Sequence, residues 1–157
     1  MTDELFNFVY NKSLDLLSRR EHSTKEIKEK LLSRFNNEKL INIVIVKLKE
    51  NNLINDHRFA EAYVIARKRK GFGPKKISFE LVGKGIKESI SKKIIDEEGD
   101  WEKVAKLAFN KKFKDGLSKD QKKKFKQKSF LHNRGFGFKE IESVFGDDML
   151  WFIAMSY

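Results

Sequence analysis

Cysteine is absent from this 157-residue chain and proline occurs only once. The first absence excludes disulfides, cysteine nucleophiles and thiolate metal sites, and it permits a reducing compartment. Long apolar runs are missing too. The longest, residues 41–46 and 149–154, are far too short to span a bilayer, and the opening MTDELFNF lacks the basic region of a signal peptide. A cytoplasmic protein without membrane contact is expected. Histidine is scarce: His22, His57 and His132 stand isolated, which points to surface or capping roles rather than metal or general-base roles. No Gly-x-x-x-x-Gly-Lys-[Ser/Thr] run cradles a phosphate. The acid pairs Glu26 with Glu29, Glu97 with Glu98 and Asp147 with Asp148 read as exposed helix or terminal charges rather than nuclease ligands. No enzyme, cofactor or metal is therefore expected.

What the chain does contain is charge and phenylalanine. There are 34 Lys and Arg against 23 acids, a net charge of +11, and 14 Phe. The Phe content supplies enough apolar mass for a folded core. The charge suggests an anionic partner, with nucleic acid the leading candidate, although a Lys-rich surface also serves solubility. Its distribution is uneven: residues 1–56 carry ten bases and nine acids, residues 57–98 eleven and six, and residues 99–157 thirteen and eight.

Apolar residues recur at three- and four-residue steps, as in Phe6, Tyr10, Leu14 and Leu17, or Ile41, Val44, Ile45 and Leu48. That periodicity predicts an all-α protein. Ser23-x-x-Glu26 and Ser118-x-x-Gln121 have capping-box form, and Gly73-Pro74 places Pro in a first helical turn. The predicted helices are 3–20, 23–35, 38–51, 56–70, 74–84, 87–97, 100–114, 119–134 and 138–146. The tail, residues 149–157, is apolar for a terminus and is expected to dock back on the last helices.

A period of 50 residues relates parts of the chain: Leu31, Leu81 and Leu131 fall in register, followed three positions later by Arg34, Lys84 and Arg134. Lys84-Gly85-Ile86 and Arg134-Gly135-Phe136 have the form of a helix ending on a left-handed Gly with an apolar plug. In the first copy, Arg34-Phe35-Asn36, the left-handed position falls to Asn36 or Asn37. Each period holds three helices. Three tandem three-helix repeats, at 1–54, 55–98 and 99–157, are expected to form an elongated helical body.

Two stretches carry more than packing. Asp56 is an N-cap or first-turn acid of the helix after Leu53-Ile54-Asn55; Phe59, Tyr63 and Ala66 share its core face; Arg58 and Arg67 are surface bases or partners of nearby acids. Arg67, Lys68, Arg69 and Lys70 close the same helix, and Lys75 and Lys76 open the next. The run from Leu53 to Ala60 with Arg67 resembles the RecX family of RecA regulators, in which a turn of the form Leu-x-[Asp/Asn]-Asp-x-Arg-Phe-Ala leads into a helix ending in Arg. Lys70-Gly71-Phe72-Gly73-Pro74 with Gly85, and Phe130 to Phe136 with Gly135, resemble its later stretches; Tyr10 to Leu32 resembles its opening.

The resemblance covers about residues 10–145 and implies three tandem three-helix repeats. It also implies a regulator that binds the RecA nucleoprotein filament and modulates it, mostly by limiting assembly, ATP hydrolysis and strand exchange. A monomer without enzymatic activity is expected, with single-stranded DNA as a secondary contact of its basic surface. Arg58, Arg67, Lys68, Arg69, Lys70, Lys75, Lys76, Lys84 and Arg134 are the expected partner-binding residues, extended by residues 122–128. The competing reading is a helix-turn-helix DNA-binding protein, but none of the third helices combines Arg, Asn and Gln as base readout favours.

Overall fold

A computed structural model describes residues 2–146. The apolar tail, with Asp147 and Asp148, lies outside the described residues. Nine α-helices follow one another among the described residues: α1 Thr2–Arg19, α2 Thr24–Arg34, α3 Glu38–Glu50, α4 Asp56–Arg69, α5 Pro74–Gly83, α6 Glu88–Glu98, α7 Trp101–Lys112, α8 Gln121–Asn133 and α9 Phe138–Phe145. Each end lies within two residues of its predicted position. The described residues fall into two compact units. One runs to Tyr63 and takes in Leu81–Ser91; the other holds Val64–Glu80 and the chain from Lys92 onward.

In the first unit α1 packs on α2 and α3. The core is aliphatic: Val9 and Leu16 meet Ile27, Leu31, Ile41, Val44, Ile45, Leu48 and Ile54. The deepest line on α1 is Val9, Ser13 and Leu16, with the predicted stripe of Phe6, Tyr10, Leu14 and Leu17 half-buried beside it. Ser13 had no place in an apolar pattern. It tolerates burial because its hydroxyl donates to the Val9 carbonyl at 2.9 Å, one turn back.

Helix starts follow side-chain chemistry. The Ser23 capping box is complete: Ser23 Oγ accepts from Glu26 N–H, and Ser23 N–H donates to Glu26 Oε1, both at 3.1 Å. The second predicted box does not form. Asp120 caps α8 by accepting from Lys123 N–H at 3.0 Å, and Ser118 Oγ instead accepts from Asp120 N–H. A carboxylate two residues nearer the helix takes the orphan donor first. At α4 the cap is Asn55, whose Oδ1 accepts from Arg58 N–H at 2.9 Å. Asp56 is thereby released for another helix, and accepts from Thr24 N–H in the first turn of α2 at 2.7 Å.

Helix ends repeat one device. After α5, Ile86 N–H reaches Leu81 O and Gly85 N–H reaches Val82 O, with Gly85 at φ +83° and Ile86 buried. After α8, Phe136 N–H reaches Leu131 O and Gly135 N–H reaches His132 O, with Gly135 at φ +96°. The same pattern closes α4 through Gly71 and α3 through Asn52 at φ 56°. The expectation for α2 is corrected. Neither Asn36 nor Asn37 is left-handed; Phe35 is extended, and Asn37 caps α3 by accepting from Leu40 N–H. Leu31, Leu81 and Leu131 are all fully buried, as the period required.

The core positions of α4 are Phe59, Ala60 and Val64, with Tyr63 half-buried. Ala66 is exposed, against expectation. Seven residues on from Ala60, the same side of the helix carries Arg67.

In the second unit α7 packs on α8 and α9 around Val104, Ala105, Ala108, Phe109, Leu131, Phe136 and Ile141. Aromatic rings close this core. Phe109 meets Phe145 edge-on at 5.4 Å, and Phe113 meets Phe130 in the same way at 5.4 Å.

Candidate functional site

The second unit brings seven of the nine expected basic residues together. They sit where the end of α4 and the start of α5 meet the turn between α8 and α9. The meeting is backbone on backbone: Gly73 N–H donates to Arg134 O at 2.7 Å, and Lys75 N–H donates to Gly135 O at 3.0 Å. The orphan donors of one helix start are thus satisfied by the orphan carbonyls of another helix end, and the two half-charges are of opposite sign. Only glycine permits this approach. A Cβ on Gly73 would lie 2.5 Å from Gly135 O and Phe136 N, and one on Gly135 would lie 2.6 Å from Lys76 N.

Phe72 sits at the centre of the cations. The Arg67 guanidinium carbon lies 3.7 Å from the ring centroid, that of Arg134 4.7 Å, and Lys76 Nζ 5.2 Å. Arg67 is fixed by a bidentate pair with Glu80, with Nε to Oε1 at 2.9 Å and the second nitrogen to Oε2 at 2.8 Å. Arg134 donates to Lys70 O at 3.2 Å. Lys68 donates to the Glu98 backbone and carboxylate at 3.3 Å, beside the Trp101 ring. These three bases build the site. Arg69, Lys70 and Lys75 are exposed, with no ion pair among the described residues, and present the charge outward.

The other two expected contacts lie in the first unit and are also engaged. Arg58 Nε donates to Glu21 Oε1 at 2.6 Å, and its remaining nitrogens reach the Asn52 and Leu53 carbonyls, clasping the turn before α4. Lys84 reaches Glu26 Oε2 at 3.4 Å and lies over the Tyr63 ring.

Glu26 is not the exposed charge expected of it. It completes the α2 capping box, pairs with Arg20 at 3.1 Å and receives Lys84. Burial pushes its carboxyl up, but the Arg20 hydrogen bond, the Ser23 N–H and the charges of Arg20 and Lys84 outweigh this and hold it at about 2. His22 is likewise not a surface residue, being 2 % exposed. Its Nδ1 faces the Arg20 carbonyl at 2.9 Å and so carries the proton; Nε2 then accepts from Lys30 Nζ at 2.8 Å. Burial lowers the His22 pKa, the Arg20 carbonyl opposes, and the charges of Arg20 and Lys30 lower it further. Burial also lowers that of Lys30.

The lysine run 122–128 divides. Lys122, Lys123 and Lys126 are exposed, whereas Lys128 is 1 % exposed, its Nζ 5.3 Å from the Phe145 ring. Lys128 therefore cannot extend an outward basic face. The neighbouring Gln127 is buried with it, binding Gly116 O and Ser118 N–H and so holding the α7–α8 loop.

Comparison with known proteins decides the family. Residues 10–48 match the model of RecX, first three-helix domain, and residues 55–96 that of RecX, second three-helix domain. The chain belongs to the RecX family. It is similar to Regulatory protein RecX of Serratia proteamaculans, 34% identical over 164 residues that cover 90% of this chain and 98% of the relative. To that of Vibrio parahaemolyticus it is 39% identical over 130 residues, covering 82% and 84%. The crystal structure of RecX from Lactobacillus salivarius superposes with a TM-score of 0.74 at 26% identity, covering 96% of this chain and 99% of that one. The first RecX domain ends two residues before the close of α3. The second opens on the α4 cap Asn55 and takes in eight of the nine expected basic contacts, leaving out Arg134 and the 122–128 extension.

Proposed function

We propose that this chain is a non-enzymatic cytoplasmic regulator that binds the RecA nucleoprotein filament and limits its assembly, ATP hydrolysis and strand exchange. It does so as a monomer of three tandem three-helix units, 1–54, 55–98 and 99–157. Membership of the RecX family of regulatory proteins carries the reading. The exposed bases Arg69, Lys70 and Lys75 support it, grouped on a rigid mount of Arg67, Phe72 and Arg134. A preorganised cationic patch speeds encounter with an anionic filament and costs little ordering entropy on contact. Single-stranded DNA phosphates are a secondary contact of the same patch. Among the described residues no helix is long and apolar enough to cross a membrane.

The test is RecA-catalysed ATP hydrolysis on single-stranded DNA, titrated with this protein. Inhibition is expected well below one molecule per RecA subunit. The double substitution Arg69→Glu with Lys75→Glu should weaken it at least about tenfold, because two reversed charges each change partner attraction by about 1 kcal/mol. Arg67→Glu is not an equivalent test, since it sets a carboxylate against Glu80. No inhibition, together with tight salt-dependent DNA binding, would replace the proposal with a nucleic-acid-binding function.

A further inference from the structure

Beside the basic patch, and wholly within the second unit, the end of α4 and one side of α7 enclose a groove of about 750 Å³. Its floor is aliphatic, formed by Ile65, Val104, Leu107 and Ala108. Val104 and Ala108 belong to the core, but Leu107 is 60% exposed and Ile65 37%. Positions 104, 107, 108 and 111 fall on one side of α7, so Leu107 and Lys111 stand one turn apart along the same trough. Isolated exposed leucines are ordinary; two aliphatic side chains set in a concave wall leave an apolar strip that water must cover.

The rim has the opposite character. Arg69, Lys70, Lys103, Lys111 and Lys112 line it without an ion pair among the described residues. Of the two acids present, Glu98 is engaged by Lys68, leaving Asp100 alone against these five bases.

We infer that this groove takes an acidic amphipathic segment of a protein partner, apolar side chains on Leu107 and Ile65, carboxylates at Lys103, Lys111 and Lys112. The rim selects an anion and the floor selects its kind. A single nucleic-acid strand gains affinity by stacking bases on exposed rings. Phe130, the aromatic ring lining this groove, is already covered by Phe113 and by Arg134 at 5.0 Å. Aliphatic floor and cationic rim together match the helix-in-groove mode, in which apolar anchors and flanking charges alternate. The lining from Lys103 to Lys112 runs about 14 Å along α7, room for about two turns of a bound helix. The inference stands on the groove and does not rest on the RecA reading.

The experiment uses the full chain and a fluorescein-labelled synthetic 14-residue peptide with Leu on one helical face and Glu on the other, followed by anisotropy. Two control peptides carry Gln for Glu or Ser for Leu. Binding of the Glu/Leu peptide is expected, with both controls at least tenfold weaker. Lys111→Glu and, separately, Leu107→Ser or Leu107→Gln should each weaken it at least tenfold, with unchanged circular dichroism because both positions are exposed. Three results would overturn the inference: no binding of the Glu/Leu peptide, binding indifferent to Leu107, or displacement of the peptide by oligothymidylate whose own affinity falls with Lys111→Glu. No recombinase is present in this assay, so it and the ATPase titration fail independently.

Discussion

Replacing Gly73 by Ala adds one methyl group and should cost as much as truncating a core side chain. Its backbone is not left-handed, so the cost isolates the close approach of two turns. The new Cβ would lie 2.5 Å from Gly135 O and Phe136 N, both backbone atoms that no rotamer change can move. The turns must part, and the bonds from Gly73 N–H and Lys75 N–H are lost together. Each unsatisfied donor costs about 1–3 kcal/mol, giving roughly 2–6 kcal/mol. Gly135→Ala meets the same clash from the other side and adds about 1–2 kcal/mol for a left-handed alanine. Two controls bracket these values. Gly116→Ala, at φ +81° with nothing within 4 Å, carries only that conformational cost of about 1–2 kcal/mol. Gly83→Ala, also with nothing within 4 Å and at the last residue of α5, should stabilise by about 0.5 kcal/mol. Urea unfolding followed by helical circular dichroism gives all four values in one series. If Gly73→Ala lies within about 1 kcal/mol of Gly83→Ala, the turns do not touch and the mount described for the basic patch is wrong.

Further outcomes follow from the buried polar groups. Glu26 is held at about 2 against an ordinary 4.5, so its contribution is fully present above 4.5 and is lost as pH falls from there toward 2; by linkage it is about 3 kcal/mol, and Glu26→Gln should flatten the fall in stability between pH 4.5 and 2 by about that amount in pH-dependent melts. The His22 pKa is depressed below 6.5, so the unfolded chain binds this proton first and stability should decline as pH drops below 6.5; an NMR titration placing the His22 midpoint at or above 6.5 would contradict the burial argument. Lys128→Ala should cost about 2–4 kcal/mol through lost packing of its stem, against less than about 0.5 for Lys126→Ala; equal values in chemical denaturation would mean that position 128 is solvated. Asp56→Ala should cost about 1–2 kcal/mol by leaving the Thr24 N–H in the first turn of α2 without its acceptor, while the Ser23 capping box stays in place, and hydrogen exchange at Thr24 should speed up with it.

Helix positions were legible because their signals are local. Period, caps and Gly85 and Gly135 act within a few residues, and the 50-residue register is read from identity alone. What escaped were competitions between neighbouring caps and residues whose partners are distant. Ser118 competed with Asp120 for one helix start, and chemistry rather than motif form decided it. Helix α8 has almost no apolar periodicity, since Gln127 and Lys128 occupy inward positions where a pattern expects Leu, so its buried face could not be read. Among the basic residues the sequence marked the right neighbourhood without sorting it. Arg67 and Lys70 look alike in a run of four, yet Arg67 returns to the apolar side of α4, where Glu80 and Phe72 hold it, and Lys70 does not. Nor did any motif mark the groove, whose lining combines α4 with Lys103, Leu107 and Lys111, residues of unremarkable spacing on their own.

The bonds joining Gly73 and Lys75 to Arg134 and Gly135 span about sixty residues of chain. A polypeptide leaving the ribosome at ~5–20 residues per second presents the start of α5 several seconds before its acceptors exist. Until Gly135 emerges, two donor groups of that helix have only water, and Phe72 lacks Arg134, one of its covering cations. The patch proposed to meet the partner therefore matures last, so a chain interrupted before residue 134 would carry the bases without the mount that holds them in register.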